Sequence, residues 1–213
     1  MKQIVAFDFD GTLTTKDTLL EFIRYVYGDM AFTIGFLRYS PLLVLMKLGL
    51  YPNYKAKQKV FSYFFKGMSI EAFDAVCQRF AQDSRHLLRP QSVETLHQAL
   101  SEGAEVLIVS ASIDNWVKPF FKNQVNHGDR FMIGSQTTIK QPVPVILGTQ
   151  IEVKDGKLTG RFLTKNCYGQ EKVNRILALY PHREDYHLTA YGDSRGDKEM
   201  LAFADVSYFK PFR

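Results

Sequence analysis

The chain reads as an α/β protein: a doubly wound parallel sheet of Rossmann-like type, with an all-helical cap inserted after the first strand. Three observations predict this. Short apolar runs alternate with helix-period segments over most of the 213 residues, which is the pattern of parallel strands joined by helical crossovers. Residues 16–88 interrupt that alternation with helical spacing and no strand-like run. Three apolar runs end in polar groups, at Asp8/Asp10, Ser110 and Asp193/Asp197, and ligands of such sheets bind beyond the carboxyl ends of the strands. The predicted division is a core of residues 1–15 and 89–213, and a cap of residues 16–88.

Ile4-Val5-Ala6-Phe7 is the first strand, apolar on both faces as a buried strand is. Asp17 to Tyr27 has helical spacing through Leu19, Leu20, Ile23, Val26 and Tyr27, with Asp17 as its N-cap and Gly28-Asp29 as its stop. Met30 to Leu50 is strongly apolar, interrupted by Arg38 and Lys47, and Ser40-Pro41 predicts a kink near its middle. Pro52-Asn53 turns the chain into a helix from Tyr54 to Lys66, which Gly67 ends. Ser69 caps a further helix reaching about Leu88. Pro90 opens the next helix and Gly103 closes it.

Glu105 to Val109 is a second strand, followed by Ser110-Ala111-Ser112, with Ser112 read as a cap for a helix from about Asn115 to Asn123. A third strand is placed at Arg130 to Gly134. Gln150 to Phe162 alternates around Asp155-Gly156, the signature of a hairpin. Gly169 to Tyr180 is helical, and Tyr186 to Tyr191 is a strand that runs into Gly192-Asp193-Ser194-Arg195-Gly196-Asp197. A short helix through Phe203 and a strand near Val206 to Phe209 complete the pattern.

Composition narrows the function classes. Hydrophobic residues make up 46% and charged residues 23%, as in ordinary globular proteins. The net charge of +5 favours anionic ligands, but there is no Arg/Lys-rich run, so nucleic acid is not the expected partner. Cys77 and Cys167 suit neither a disulfide framework nor a metal cluster, and a reducing cytoplasm fits them. Met1-Lys2-Gln3 runs straight into the first strand, which leaves no signal peptide to expect. Nothing in the pattern speaks to oligomeric state.

The stretch Asp8-Phe9-Asp10-Gly11-Thr12-Leu13-Thr14 carries the chemistry. Two carboxylates two positions apart on an extended strand share a face and repel unless a cation or a proton lies between them. Such a pair suits a nucleophile and a proton carrier beside a divalent metal. Without its context the same pair would be an acidic loop, Lys172 a solvated helix residue, and Asp193 a turn residue.

The stretch resembles the nucleophile motif of the haloacid dehalogenase superfamily, most of whose members are phosphatases. The likeness extends over nearly the whole chain and is nearest the phosphoserine-phosphatase-like branch, which carries a helical cap. It implies Asp8 as nucleophile and Asp10 as acid/base. Ser110 would hold the transferring phosphoryl group, with Lys172, in Gly-Gln-Glu-Lys, screening charge between the two. It further implies Mg²⁺ held by Asp8, the Asp10 backbone carbonyl and Asp193, with Asp197 and Thr12 in support. The expected substrate is a small phosphate ester.

Where the phosphoserine enzymes have a glutamate that reaches the substrate amine, this chain has Asp17, a candidate substrate contact that is also a natural helix cap. The cap offers lysines and aromatics between Leu50 and Ile70 but no arginine, which disfavours phosphoserine itself. The apolar 30–50 stretch is similar, more loosely, to that of a phosphatidylglycerophosphatase branch. It is expected either to pack inside the cap or to meet an anionic membrane peripherally. A phosphomutase or a non-catalytic phosphate-binding protein would share much of this pattern. The second aspartate argues against a dehalogenase.

Overall fold

In a computed structural model, which describes residues 1–122 and 143–213, the strands are β1 (Lys2–Phe7), β2 (Glu105–Ile113), β3 (Val145–Thr149), β4 (Ile151–Lys154), β5 (Lys157–Phe162), β6 (Tyr186–Gly192) and β7 (Val206–Phe209). Five of them form a parallel sheet in the order β3-β2-β1-β6-β7. Alternation along the central strands sends side chains to two cores. Ile4 and Ala6 of β1, with Leu107 and Val109 of β2, pack on one face; Phe7, Val106 and Ile108 pack on the other.

The helices are α1 (Thr18–Lys47), α2 (Asn53–Phe65), α3 (Ile70–Asp83), α4 (Pro90–Ser101), α5 (Asp114–Val117), α6 (Pro119–Lys122), α7 (Gln170–Leu179) and α8 (Lys198–Phe203). Ile176 of α7 and Met200 of α8 cover the first face, and Leu96 of α4 covers the second. Helices on both faces of a parallel sheet make the fold doubly wound, as expected from the alternation. The strand order reverses at β1, and the crevice at such a switch point is the usual ligand site.

The helices α1, α2 and α3 occupy the segment between the first strand and the resumed sheet. Its two ends are stitched together where the chain leaves and returns: Thr15 N–H donates to Leu87 O at 2.8 Å, and Arg89 N–H to Leu13 O at 2.8 Å. Phe22 ties the three helices together and to α5, with ring centroids 5.3 Å from Phe65, 5.2 Å from Phe80 and 5.1 Å from Trp116. Truncating so central a ring costs about 3–5 kcal/mol. The β4–β5 hairpin turns at Asp155-Gly156, both at positive φ as a tight turn of this kind demands. It bonds the α2–α3 junction, with Leu158 N–H to Met68 O at 2.9 Å and Ile70 N–H to Gly156 O at 2.9 Å.

Several element boundaries differ from those the sequence suggests. No break occurs at Ser40-Pro41, and α1 runs helically through it. Pro41 cannot donate to the Leu37 carbonyl, but Ser40 Oγ does so instead at 2.8 Å. The non-helical residue is Gly28, at φ 78° and ψ 168°, a conformation open to glycine and costly for other residues. The strand β2 continues through Ser110-Ala111-Ser112 to Ile113, where it pairs with Thr149 of β3. The α3 helix stops at Asp83, five residues short of Leu88, and a single turn at Arg85–Leu87 follows. The expected Asn115–Asn123 helix divides at Pro119, which has no N–H to continue it. Arg130–Gly134 and Asn123 lie outside the described residues, and β3 lies further along the chain than that placement.

Candidate active site

At the carboxyl end of β1 the chain enters the loop Phe9–Leu13. Asp8 N–H still donates to Tyr191 O of β6 at 2.9 Å, so the first carboxylate is anchored to the sheet. Gly11 then turns at φ +82°, and a Cβ there would stand 2.5 Å from Asp193 Oδ2. Conformation and space both call for glycine. Thr12 Oγ1 lies 3.2 Å from Asp8 Oδ2 and 3.4 Å from Asp193 Oδ1, so its one proton is shared between two carboxylates.

Lys172, in the first turn of α7, is 1% exposed. Its Nζ donates to Asp8 Oδ1, Asp197 Oδ1 and Val109 O, each at 2.6 Å. Those contacts use all three of its donors. Burial acts to lower its pKa, but Asp8 and Asp197 outweigh that and hold it above the usual lysine range. Burial pushes the Asp8 carboxyl up to about 7, against the pull of Lys172. The Asp197 carboxyl goes the other way: burial would raise it, yet Lys172 and the Ser194 donors hold it below the ordinary range. Its second oxygen accepts Asp193 N–H at 3.1 Å and Ser194 N–H at 2.9 Å, which ties the loop after β6 into the site. Asp193 itself pairs with the Arg213 guanidinium, a partner that no motif signalled.

Asp10 belongs to a different network. Its Oδ1 accepts Thr18 N–H at 2.8 Å and Thr18 Oγ1 at 2.6 Å, and its Oδ2 accepts from Ser112 Oγ. Trp116 Nε1 donates to Thr18 Oγ1 at 3.2 Å. The two aspartates therefore do not share a strand face, because β1 ends at Phe7 and Asp10 sits in the loop. Ser112 is no helix cap. It lies on β2, two residues beyond Ser110, and the strand period could have placed it beside that residue. Trp116 could not have been assigned from sequence, since its bond to Thr18 spans 98 residues, whereas Thr18 stands only eight residues beyond Asp10.

Ser110 is fully buried, and its hydroxyl accepts Ser112 N–H at 3.0 Å. Its neighbour Ala111 is the residue that lines the cleft. Asp17 caps α1 as expected, accepting Leu19 N–H at 3.0 Å and Leu20 N–H at 3.3 Å on the same oxygen, Oδ1. Burial, and Asp10 after it, push its pKa up, while Lys57 and the cap amides oppose them. Lys57 reaches from α2 to donate to Ala111 O at 2.7 Å.

The cleft has a volume of about 630 Å³. Its lining takes in Asp8, Asp10, Asp193 and Lys172, together with Lys16, Asp17 and Lys57, and the apolar side chains Leu20, Phe36, Leu43 and Met46. One oxygen each of Asp8, Asp193 and Asp197 lie within 4.8 Å of one another. Against Lys172 and Arg213 these three leave a surplus of negative charge, before Asp10 and Asp17 are counted. Oxygen donors of this kind, with no His or Cys among them, suit a hard divalent cation.

The geometry has counterparts among known proteins. The family model for haloacid dehalogenase-like hydrolases matches residues 5–202. Protein CicA of Caulobacter vibrioides is 33% identical, over 99% of this chain and 86% of that protein. Among solved structures, a Bordetella pertussis Tohama I protein of unknown function superposes with a TM-score of 0.77 at 20% identity, covering 97% of this chain and 89% of that one. A substrate-bound phosphoserine phosphatase superposes with a TM-score of 0.61 at 21% identity, covering 98% and 86%. A phospho-aspartyl intermediate analogue of phosphoserine phosphatase gives 0.57 at 22% identity, covering 97% and 85%. At these identities the structures share the fold, whereas the family match takes in nearly the whole chain, and on it this protein belongs to the haloacid dehalogenase-like hydrolases.

Proposed function

We propose that this protein is a Mg²⁺-dependent phosphatase that hydrolyses a phosphate monoester through an aspartyl-phosphate on Asp8. Supporting this is one juxtaposition: a buried carboxylate at a strand end, 2.6 Å from a fully buried lysine, with a second carboxylate, Asp10, lining the same cleft. In this reading residues 16–88 are a cap that closes one side of the cleft, and the cell interior keeps Cys77 and Cys167 as buried thiols.

Asp8 attacks phosphorus in line with the ester oxygen. The new bond joins an Asp8 oxygen to phosphorus, and the bond to the leaving alcohol breaks. Asp10 gives its proton to the departing oxygen. Water then attacks the aspartyl-phosphate, Asp10 takes a proton from it, and inorganic phosphate departs with Asp8 restored. Lys172 holds Asp8 in place and offsets charge on the phosphoryl oxygens, and Ser110 is the residue assigned to one of those oxygens. Bound Mg²⁺, held by Asp8, Asp193 and the Asp10 backbone carbonyl, would add the charge neutralisation that lets an anion attack an anion. Asp197 supports the site through Lys172 and the loop after β6. Asp17 is assigned as a substrate contact, since both cap bonds fall on Oδ1 and leave Oδ2 outside the cap.

A panel of soluble phosphate esters assayed with EDTA and then with Mg²⁺ tests the proposal. Activity should vanish with EDTA and return with Mg²⁺. Turnover that EDTA leaves intact, or that only zinc restores, would overturn it.

The Asp10 network makes a separate expectation. Asp10→Asn should depress turnover of alkyl phosphates far more than that of aryl phosphates, whose phenolates leave with less help from an acid. Ser112→Ala should reproduce the same trend at smaller size, about tenfold on alkyl esters, because it loosens Asp10 without removing it. Equal losses on both ester types would assign Asp10 to structure alone.

A further inference from the structure

The part of α1 beyond Gly28 is apolar on two faces. One face packs: Tyr39 meets Tyr63 with centroids 5.5 Å apart, and a Cβ on Gly35 would strike Phe64 and Tyr63. The other face carries Met30, Ile34, Leu37, Val44, Leu45 and Leu48, a helical stripe roughly 25 Å long. Among the described residues nothing covers it: Met30 is 79% exposed, and Leu37 and Leu48 are each 67% exposed. A contiguous apolar stripe of that length on a protein surface marks a contact.

The charge around the stripe indicates what it meets. Between Asp29 and Glu71 the sequence holds no acidic residue but has six basic ones, Arg38, Lys47, Lys55, Lys57, Lys59 and Lys66. That local +6 exceeds the +5 of the entire chain, so the remainder carries a net −1. The net positive excess thus comes from the region that bears the stripe, and Arg38, Lys47, Lys55, Lys59 and Lys66 are exposed there. An apolar stripe with a basic border is the profile of a helix lying in the plane of an anionic lipid surface. By length and composition α1 could also cross a bilayer. A crossing helix would have to shed its packing against α2 and bury Arg38 in hydrocarbon.

The same helix also lines the catalytic cleft. Phe36, Leu43 and Met46 form its apolar wall, and Lys47 stands with them. We infer that the stripe on α1 docks the protein on an anionic lipid surface, and that the substrate is an amphiphilic phosphate monoester drawn from that surface. The phosphoryl group goes to Asp8, and the apolar portion lies along Phe36, Leu43 and Met46. The substrate half of this inference rests on the phosphatase reading; the docking half does not.

Sedimentation with vesicles separates the two. The wild-type protein should sediment with vesicles of mixed phosphatidylglycerol and phosphatidylcholine, and far less with phosphatidylcholine alone. A Leu37→Glu, Val44→Glu, Leu48→Glu variant should lose at least about tenfold in partitioning, with unchanged turnover of a soluble aryl phosphate. Should that variant fail to fold, Arg38→Glu with Lys55→Glu and Lys59→Glu leaves the apolar stripe untouched and should weaken the same binding. Wild type should hydrolyse phosphatidic acid in anionic vesicles, and the stripe variant should be impaired on that substrate alone. Absence of sedimentation with anionic vesicles would overturn the docking. So would equal binding by a folded variant, or a dimer of wild type that the variant abolishes while neither binds vesicles. Vesicle binding without hydrolysis of any ester would instead retire the phosphatase reading and leave the docking standing.

Discussion

Asp8→Asn is expected to reduce phosphate-ester hydrolysis on the order of 10⁴–10⁶-fold, the range found when single members of a catalytic constellation are removed. The amide is nearly isosteric with the carboxylate, but it does not attack phosphorus and carries no charge for a cation. The fold should survive, because the partners of Asp8 keep other bonds: Lys172 retains Asp197 Oδ1 and Val109 O, and Thr12 retains Asp193. Stability should hold or rise. Burial raises the Asp8 pKa to about 7, so the folded protein disfavours the ionised form that the unfolded chain carries at neutral pH. A neutral isostere removes that penalty. The measurement pairs kcat on an aryl phosphate with Tm. Near-normal turnover in a folded variant would exclude Asp8 as the nucleophile. A sharp drop in Tm would show that the ionised carboxylate holds the site together.

That trade of stability for chemistry bears on which residues the sequence discloses. The strands β1, β2 and β6 were legible because each is an apolar run too short for a helix, and the site residues lie where those runs give way to polar groups. Asp8, Thr12, Lys172, Asp193 and Asp197 come together, although they lie up to 189 positions apart. The sequence places the end of β2 at Val109, since Ser110-Ala111-Ser112 is small and polar, like a loop. Its extension is imposed by pairing with β3, which no local pattern announces. Pro41 mimicked a kink because the hydroxyl that repairs it belongs to the preceding residue, and only a three-dimensional bond makes the difference. The surroundings of Asp10 were hidden for a related reason. Thr18 and Trp116 are ordinary helix residues until folding joins them, and Arg213 is an ordinary cation until it meets Asp193. Motifs record groups that touch substrate; orienting bonds such as Trp116 to Thr18 and Lys172 to Asp8 are long-range and leave no spacing to read.

Lys172→Met should damage both activity and stability, and the two losses should respond differently to a second change. The methionine fills much of the same volume but leaves Asp8 and Asp197 facing each other, buried, without the cation 2.6 Å from each. Removing one partner of such a buried pair costs about 3–5 kcal/mol, chiefly because the remaining charge is uncompensated. Turnover should fall about 10³-fold, since the group that offsets phosphoryl charge is gone. Adding Asp8→Asn to Lys172→Met removes one of the stranded carboxylates. The double variant should therefore regain part of the lost stability while remaining inactive, and the single-variant effects should not add. Urea unfolding of the wild type, both single variants and the double variant measures that coupling. Additive stabilities would show that Lys172 packs beside Asp8 without compensating its charge. A Lys172→Met protein of wild-type stability would make the same point, and either result would leave Asp8 to be activated by another group.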